Sequence, residues 1–244
     1  MGNVLARKLW NAGRLDPEDL QRLDEVISNP FPVDARKDLI QQGDDPEHVH
    51  LVLSGMVCRY KLMPDGRRAI VALMLPGDIC DLHVAILGRM DHNLGTLTDC
   101  SVVRIPRATI EELLENHPRI RRALFWSTLV DEAILREWLV NMGRRRADKQ
   151  MAHLFCEVHA RLCAVNHMQD ALLPLTQEEL ADILGVSTVH AQRVLSQLRA
   201  QGLVTVQDSR VAVPDVERLR DFAQFEVDYL HLEQGEGGRQ HHTK

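Results

Sequence analysis

The chain has 244 residues, of which 29 are Lys or Arg and 35 are Asp or Glu, giving a formal net charge of −6. This balance excludes a generally basic nucleic-acid-binding protein, and the 45% hydrophobic content indicates a globular core. The sequence shows neither a run of ~20 apolar residues nor a signal-peptide segment, so we expect a cytoplasmic protein without a membrane segment. Its five cysteines are scattered singly, which predicts buried, reduced thiols.

The first half of the chain carries the pattern of a β-rich domain. A helix is predicted to begin at Asp16-Pro17, because a capping residue followed by proline is typical of helix starts. Short apolar stretches then alternate with turn sequences such as Pro64-Asp65-Gly66. The predicted strands are residues 38–41, 49–53, 57–63, 69–75 and 101–105. Strands of this length and spacing predict a β-sandwich or barrel.

A long helix is predicted from residue 118 to about residue 143, after a shorter one at 106–116. Its apolar residues recur in mixed steps of three and four, which is typical of a coiled-coil seam between two helices. Packing of the helix on its own β-domain explains the same pattern and is compatible with a dimer. The predicted seam residues are Ser127, Val130, Ile134, Trp138 and Met142.

Residues 175–213 predict a helix-turn-helix followed by a two-stranded wing. Thr176 is a candidate cap of the first helix, Gly185 ends that helix, and Ser187 is a candidate cap of the second. The wing strands are predicted at 203–207 and 210–213, and flanking helices at 148–164 and 214–232. In a helix-turn-helix the second helix enters the major groove of DNA, whereas an ordinary helical hairpin would serve only the core.

The charge pattern favours the first of these two interpretations. Residues 148–232 have a net charge of −5, yet no Asp or Glu occurs between Asp182 and Asp208. Arg193 and Arg199 lie inside this acid-free stretch. A helix without carboxylates is what a surface facing phosphates requires.

These motifs resemble the cyclic-AMP receptor and fumarate–nitrate regulator (Crp/Fnr) family of bacterial transcription factors. The resemblance is specific over LTQEELADILGVSTVHAQRVLSQLRAQGLV and looser over about residues 15–230, where LVLSGMVCRY and LPGDICDL resemble the family's β-roll. It implies an α+β chain that binds double-stranded DNA as a homodimer, with RNA polymerase as a protein partner compatible with the family. The expected parts are a β-roll sensor domain (1–117), a dimerisation helix (118–147), a winged helix-turn-helix domain (148–232) and a disordered tail (233–244).

The resemblance also assigns candidate DNA contacts. Arg193 matches the family's recurrent arginine and can bond O6 and N7 of guanine, whereas Thr188 and Val189 replace an arginine and a glutamate of the cyclic-AMP receptor. The operator should therefore differ from that of the receptor. The candidates on the second helix are Ser187, Thr188, His190, Gln192, Arg193 and Gln197, and the candidate phosphate contacts are Thr176, Gln177, Gln207, Ser209 and Arg210.

By the same resemblance, the effector pocket would contain Asp81, Leu82, His83, Asn93 and Leu94. Cyclic-nucleotide binders of the family use a glycine–glutamate–leucine cassette and an arginine–serine pair to hold the cyclic phosphate. The corresponding segments, 77–83 and 91–95, contain no arginine–serine pair. Carboxylates such as Asp81 and Asp91 would repel a phosphate, so we predict an effector other than cyclic AMP and leave its identity open.

Two other functions remain open, and the sequence assigns no cofactor. Cys80, Asp81, His83, Asp91 and His92 are residue types that bind zinc or iron, which would suit a metal- or haem-dependent sensor. A regulatory module whose helix-turn-helix contacts only protein is the second alternative. The sequence contains no recognisable catalytic motif, so we expect that the chain is not an enzyme.

Overall fold

The computed structural model describes residues 3–10, 12, 15–167, 172–207 and 210–232. Its helices are α1 (Val4–Trp10), α2 (Pro17–Val26), α3 (Val84–Leu87), α4 (Arg107–Asn116), α5 (Pro118–Arg144), α6 (Ala147–Ala164), α7 (Gln177–Leu184), α8 (Thr188–Ala200) and α9 (Val216–Ala223). Its strands are β1 (Pro30–Val33), β2 (Asp38–Ile40), β3 (His48–Ser54), β4 (Val57–Leu62), β5 (Arg68–Met74), β6 (Asn93–Thr96), β7 (Cys100–Pro106), β8 (Leu172–Leu173), β9 (Thr205–Gln207) and β10 (Arg210–Ala212). The predicted disordered tail, 233–244, lies outside the described residues.

The N-terminal domain is a β-roll built from two antiparallel sheets. One sheet has the strand order β1-β7-β3 and the other β2-β6-β4-β5. Fully buried side chains such as Val52, Val57, Leu94 and Val102 share one cluster between strands of the two sheets. The structure confirms the predicted β-rich domain.

Two strands, β1 and β6, and two short helices, α1 and α3, of this domain were not predicted from the sequence. Strand β1 contains Pro30 and Pro32 and pairs only with β7, and an edge strand is the place where a sheet tolerates proline. All four residues of β6 are buried, so the strand lacks the alternation that marks a half-exposed strand. Helix α1 has only seven residues, of which Val4, Leu5, Ala6 and Leu9 are buried.

On helix α5, most of the predicted seam residues pack inside their own chain. Val130 and Ile134 are 6% and 9% exposed and belong to the core of their own chain, and the Trp138 side chain turns inward to donate a hydrogen bond to Glu157. Ser127 is half-buried, and Met142 alone of the predicted set is clearly exposed. The exposed large apolar residues of α5 are Phe125, Leu129, Leu135, Leu139, Val140 and Met142.

The C-terminal domain packs α6 to α9 around the three-stranded sheet β8-β10-β9. Phe155 on α6 is fully buried at its centre. The predicted helix 214–232 is shorter than expected, because Gln224 adopts a left-handed conformation (φ 54°) and ends α9. The chain then returns to the core through Phe225 and a 3-10 turn, Asp228–Leu230.

A buried ionic cluster joins the two domains. The Arg161 guanidinium on α6 donates to Asp78 Oδ2 (2.6 Å) and to Glu157 Oε1 (3.2 Å), and Lys8 of α1 also pairs with Asp78. Burial acts to raise the pKa of Asp78, but the charges of Lys8 and Arg161 hold that pKa below its ordinary value. Burial raises the pKa of Glu157, which also accepts a hydrogen bond from Tyr229 (2.8 Å).

Four of the five cysteines are buried, as predicted, whereas Cys163 at the end of α6 is exposed. Within the described ranges, no helix is both long enough and apolar enough to cross a membrane.

Candidate nucleic-acid interface and sensor region

The α7–α8 pair forms from local capping signals. Thr176 Oγ1 accepts a hydrogen bond from Glu179 N (3.2 Å), and the Glu179 carboxylate accepts one from Thr176 N (2.7 Å), which completes a capping box. Gly185 then takes the left-handed conformation (φ 64°) that turns the chain. Ser187 Oγ accepts from His190 N (3.3 Å) and starts α8. The structure therefore confirms the predicted helix-turn-helix.

Helix α8 has one buried and one exposed face. Its buried residues are Ala191, Val194, Leu195 and Leu198. The side chains of Thr188, Val189, Gln192, Arg193, Ser196 and Gln197 are exposed, and that of His190 is half-buried. Arg193 forms no ion pair with any described residue, so its guanidinium is available to a partner outside the chain. The exposed face of α8 offers hydrogen-bond donors and acceptors without a negative charge.

The predicted phosphate contacts border this face. Gln177 is exposed at the first position of α7, and Gln207 and Arg210 are exposed on the two wing strands. The hydroxyls of Thr176 and Ser187 accept backbone hydrogen bonds as caps, which leaves each hydroxyl proton free to donate. Ser209 lies outside the described residues.

The predicted effector pocket is largely filled by the protein itself. Asp81 is fully buried, and its two carboxylate oxygens accept bonds from His50 N (2.6 Å) and from the His50 ring (2.8 Å). Asn93 Oδ1 accepts from Gln42 N (3.0 Å), and Leu94 is completely buried. Asp81, Asn93 and Leu94 are therefore not exposed to a ligand in this conformation. Leu82 and His83 keep partial exposure.

His83, Asp91 and His92 come together beside this region. One ligand atom from each residue lies within 4.8 Å of those of the other two, and the two imidazole rings are 5.3 Å apart. His92 is 8% exposed and its Nδ1 is 2.5 Å from Asp91 Oδ1. Burial, followed by the charge of Arg59, lowers the pKa of His83, and burial also lowers that of His92.

An apolar cavity of about 460 Å³ lies between β5 and helices α5, α6 and α7. Its lining includes Ile70, Leu73, Ile134, Leu139 and Met142 and none of the five predicted pocket residues. The sequence did not reveal this space, because it is formed by elements that are distant in the chain. The Arg68 Nε–Asp182 Oδ2 pair (2.7 Å) beside it connects the β-roll to α7.

Comparison with known proteins agrees with both halves of this architecture. Residues 31–117 match the cyclic nucleotide-binding domain, and residues 149–222 match the Crp-like helix-turn-helix domain. The chain is 31% identical over 218 residues to the transcriptional activator protein FnrL of Cereibacter sphaeroides, with 86% of each protein covered. It is 28% identical over 210 residues to the nitrogen fixation regulation protein FixK of Bradyrhizobium diazoefficiens, covering 86% of this chain and 87% of that protein. The solved structure of FixK2 from Bradyrhizobium japonicum has a TM-score of 0.70 at 24% identity, covering 79% of this chain and 96% of that one.

Proposed function

Because this chain belongs to the Crp/Fnr family of DNA-binding transcription regulators, we propose that it acts as a homodimer on a near-palindromic operator. Helix α8 of each subunit would enter one of two successive major grooves, about 34 Å apart. The observation that carries this proposal is the exposed, carboxylate-free face of α8 in a domain that is otherwise acidic. The family consists of regulators, and the chain is not an enzyme.

Base reading is proposed for the exposed face of α8. Arg193 has the geometry to donate two hydrogen bonds to guanine, and Gln192 has the amide that pairs best with adenine. His190, Thr188 and Gln197 complete the surface that faces the groove. The DNA phosphate backbone would be contacted by Gln177, Gln207 and Arg210, whose positions on α7 and the wing flank α8.

Dimerisation is proposed through the exposed apolar side of α5. Phe125 and Leu129 stand four residues apart, as do Leu135 and Leu139, and Met142 follows after three more, so each of these two groups lies along one side of the helix. The proposed domains are the sensor (1–117), this dimerisation helix (118–147) and the DNA-binding domain (148–232). RNA polymerase is the proposed protein partner, because the matched relatives include transcriptional activators.

Leu139→Asp should dissociate the dimer. Leu139 is 75% exposed in the single chain, so the substitution leaves the subunit fold intact but places a charge in the apolar seam. Sedimentation should show a monomer at concentrations where the wild type is a dimer. Leu87→Asp, at a leucine that is 72% exposed on α3, is the matched control and should remain dimeric. A dimeric Leu139→Asp protein would move the interface away from this side of α5.

Cyclic AMP is not the proposed effector. Arg59, a cationic side chain close to the sensor region, donates to Cys80 O (2.8 Å) and lies 3.7 Å from Asp131, so its charge is already paired. The fully buried Asp81, in the segment that corresponds to the family's phosphate cassette, offers a carboxylate rather than a cation. A phosphate would therefore enter without the cation it needs.

Selection of bound sequences from a random DNA pool tests this function. We expect a near-palindromic site whose half-sites are about one helical turn apart. The same selection with cyclic AMP should return the same site at the same yield, and calorimetry should show no saturable micromolar binding of the nucleotide. Failure to enrich any sequence would contradict DNA recognition, whereas enrichment only with cyclic AMP would contradict the effector argument.

A further inference from the structure

We propose that His83, Asp91 and His92 form a binding site for a divalent transition-metal ion in the β-roll. The three residues come from two segments, one just before α3 and the other just before β6, that the fold brings together. Two imidazoles and one carboxylate are a ligand set that suits zinc or ferrous iron. The site is separate from the DNA contacts of α8.

The strongest evidence is the state of the two histidines. His83 Nε2 and His92 Nε2 are both buried and have no hydrogen-bond partner among the described residues. A buried polar atom without a partner carries a desolvation penalty of about 1–3 kcal/mol. A metal ion would satisfy both nitrogens, and this burial makes the pair unlike exposed histidines on a protein surface.

The spacing of the ligand atoms also fits a metal. They lie within 4.8 Å of one another, whereas ligands bonded at about 2.0–2.2 Å to one ion lie roughly 3–3.5 Å apart. The Asp91 side chain is 79% exposed, so it is the ligand of the three with the most freedom to adjust. The remaining coordination positions would face solvent on the Asp91 side.

Two of the five candidate metal ligands predicted from the sequence, Asp81 and Cys80, are not available to this site. Both oxygens of Asp81 are held by His50, and the pKa of the Cys80 thiol is raised well above its ordinary value by complete burial. Cys80 also lies fully buried in an apolar cluster with residues such as Val52 and Val84. The nearby Arg59 opposes a cation, but Asp131 pairs with its guanidinium at 3.7 Å.

Zinc titration of the full-length protein tests the site. The protein is first freed of metal with a chelator and then titrated with Zn²⁺ in competition with a chromophoric chelator, with Co²⁺ as the spectroscopic probe. We expect one equivalent per chain, and we expect His83→Gln and His92→Gln each to weaken binding by about 100-fold or more. Excess Mg²⁺ should not compete, because it prefers oxygen ligands.

Three further variants make the result decisive. His48→Gln, at a histidine outside the cluster, and the double variant His241→Gln/His242→Gln should both keep the wild-type affinity. Asp91→Asn should lower the affinity for Zn²⁺. Because the Asp91 side chain is exposed, this substitution should not unfold the domain. Absence of stoichiometric binding in the wild type, or loss of binding only in the His241/His242 variant, would overturn the proposal. Operator binding by the metal-free protein is measured separately, so the two proposals can fail independently.

Discussion

Arg193→Ala should weaken binding to the operator by about 1–3 kcal/mol for each half-site and should relax base choice at one position. Arg193 is exposed on the face of α8 opposite the buried Leu195 and Leu198, so its guanidinium can reach the base edges of a major groove. A dimer carries two copies, so the combined loss is among the largest that a surface substitution here can cause.

Arg210→Ala is the control that distinguishes loss of a base contact from loss of a phosphate contact. Arg210 lies on wing strand β10, where contact with the DNA backbone is expected rather than with base edges. Its loss should reduce affinity by a similar factor for every sequence and lower the salt dependence by roughly one ion per half-site. Arg199→Ala, in the last turn of α8, is a second control for the loss of one positive charge.

The measurement is affinity for the operator, for its single-base variants and for random DNA at two or more salt concentrations. Equal weakening of all sequences by Arg193→Ala would show that this arginine holds phosphate. Base reading would then pass to the neighbouring side chains His190 and Gln192.

Arg161→Met should lower the free energy of unfolding by about 3–5 kcal/mol. Arg161 is the cation between Asp78 and Glu157, whose side chains are only 4% and 3% exposed. Methionine preserves most of the side-chain length but leaves two buried carboxyl groups with fewer partners. Urea unfolding followed by tryptophan fluorescence at a fixed subunit concentration measures the loss.

Arg67→Met is the matched control for Arg161→Met. It removes an ion pair with Asp65 in which the arginine side chain is 81% exposed, so the cost should be below about 1 kcal/mol. Adding Glu157→Gln to Arg161→Met should recover part of the loss, because one buried carboxyl is removed. Equal costs for Arg161→Met and Arg67→Met would show that the buried cluster contributes no more than a surface pair.

The destabilisation should also depend on pH. The pKa of Asp78 in the folded protein lies below its ordinary value of about 3.9, so its charge stabilises the fold above that pH and the contribution is lost in acid. Without Arg161, the folded-state pKa of Asp78 should rise. The difference in free energy of unfolding between the wild type and Arg161→Met should therefore shrink as the pH falls below the ordinary pKa of an aspartate.

Local signals made the DNA-binding helices predictable. The Thr176–Glu179 capping box, Gly185 in its left-handed turn and the Ser187 cap lie within twelve residues, and each acts on its immediate neighbours. The acid-free stretch was equally visible in the sequence. Such features need no knowledge of the rest of the chain.

The surroundings of α5 and of the predicted effector pocket could not be predicted, because they depend on contacts between residues that are distant in the sequence. Helix α5 is apolar on two sides, and periodicity cannot tell whether Ile134 or Leu135 faces the chain's own core. The resemblance assigns Asp81 to the pocket through the family's phosphate cassette, and its bond with His50, 31 residues away, is not visible from that alignment. The burial of His92, which separates a candidate metal ligand from a surface histidine, is likewise a property of the folded domain.

The acid-free face of α8 has a further consequence for how the protein searches a chromosome. Because residues 148–232 carry a net charge of −5, we expect attraction to DNA chiefly in the orientation that presents α8. Non-specific binding, which depends on neutralising phosphates, is weak for such a surface. If the chain reads an operator as proposed, competing genomic sites would sequester few molecules, and occupancy of the operator would depend on rejecting random DNA as much as on affinity for the correct site.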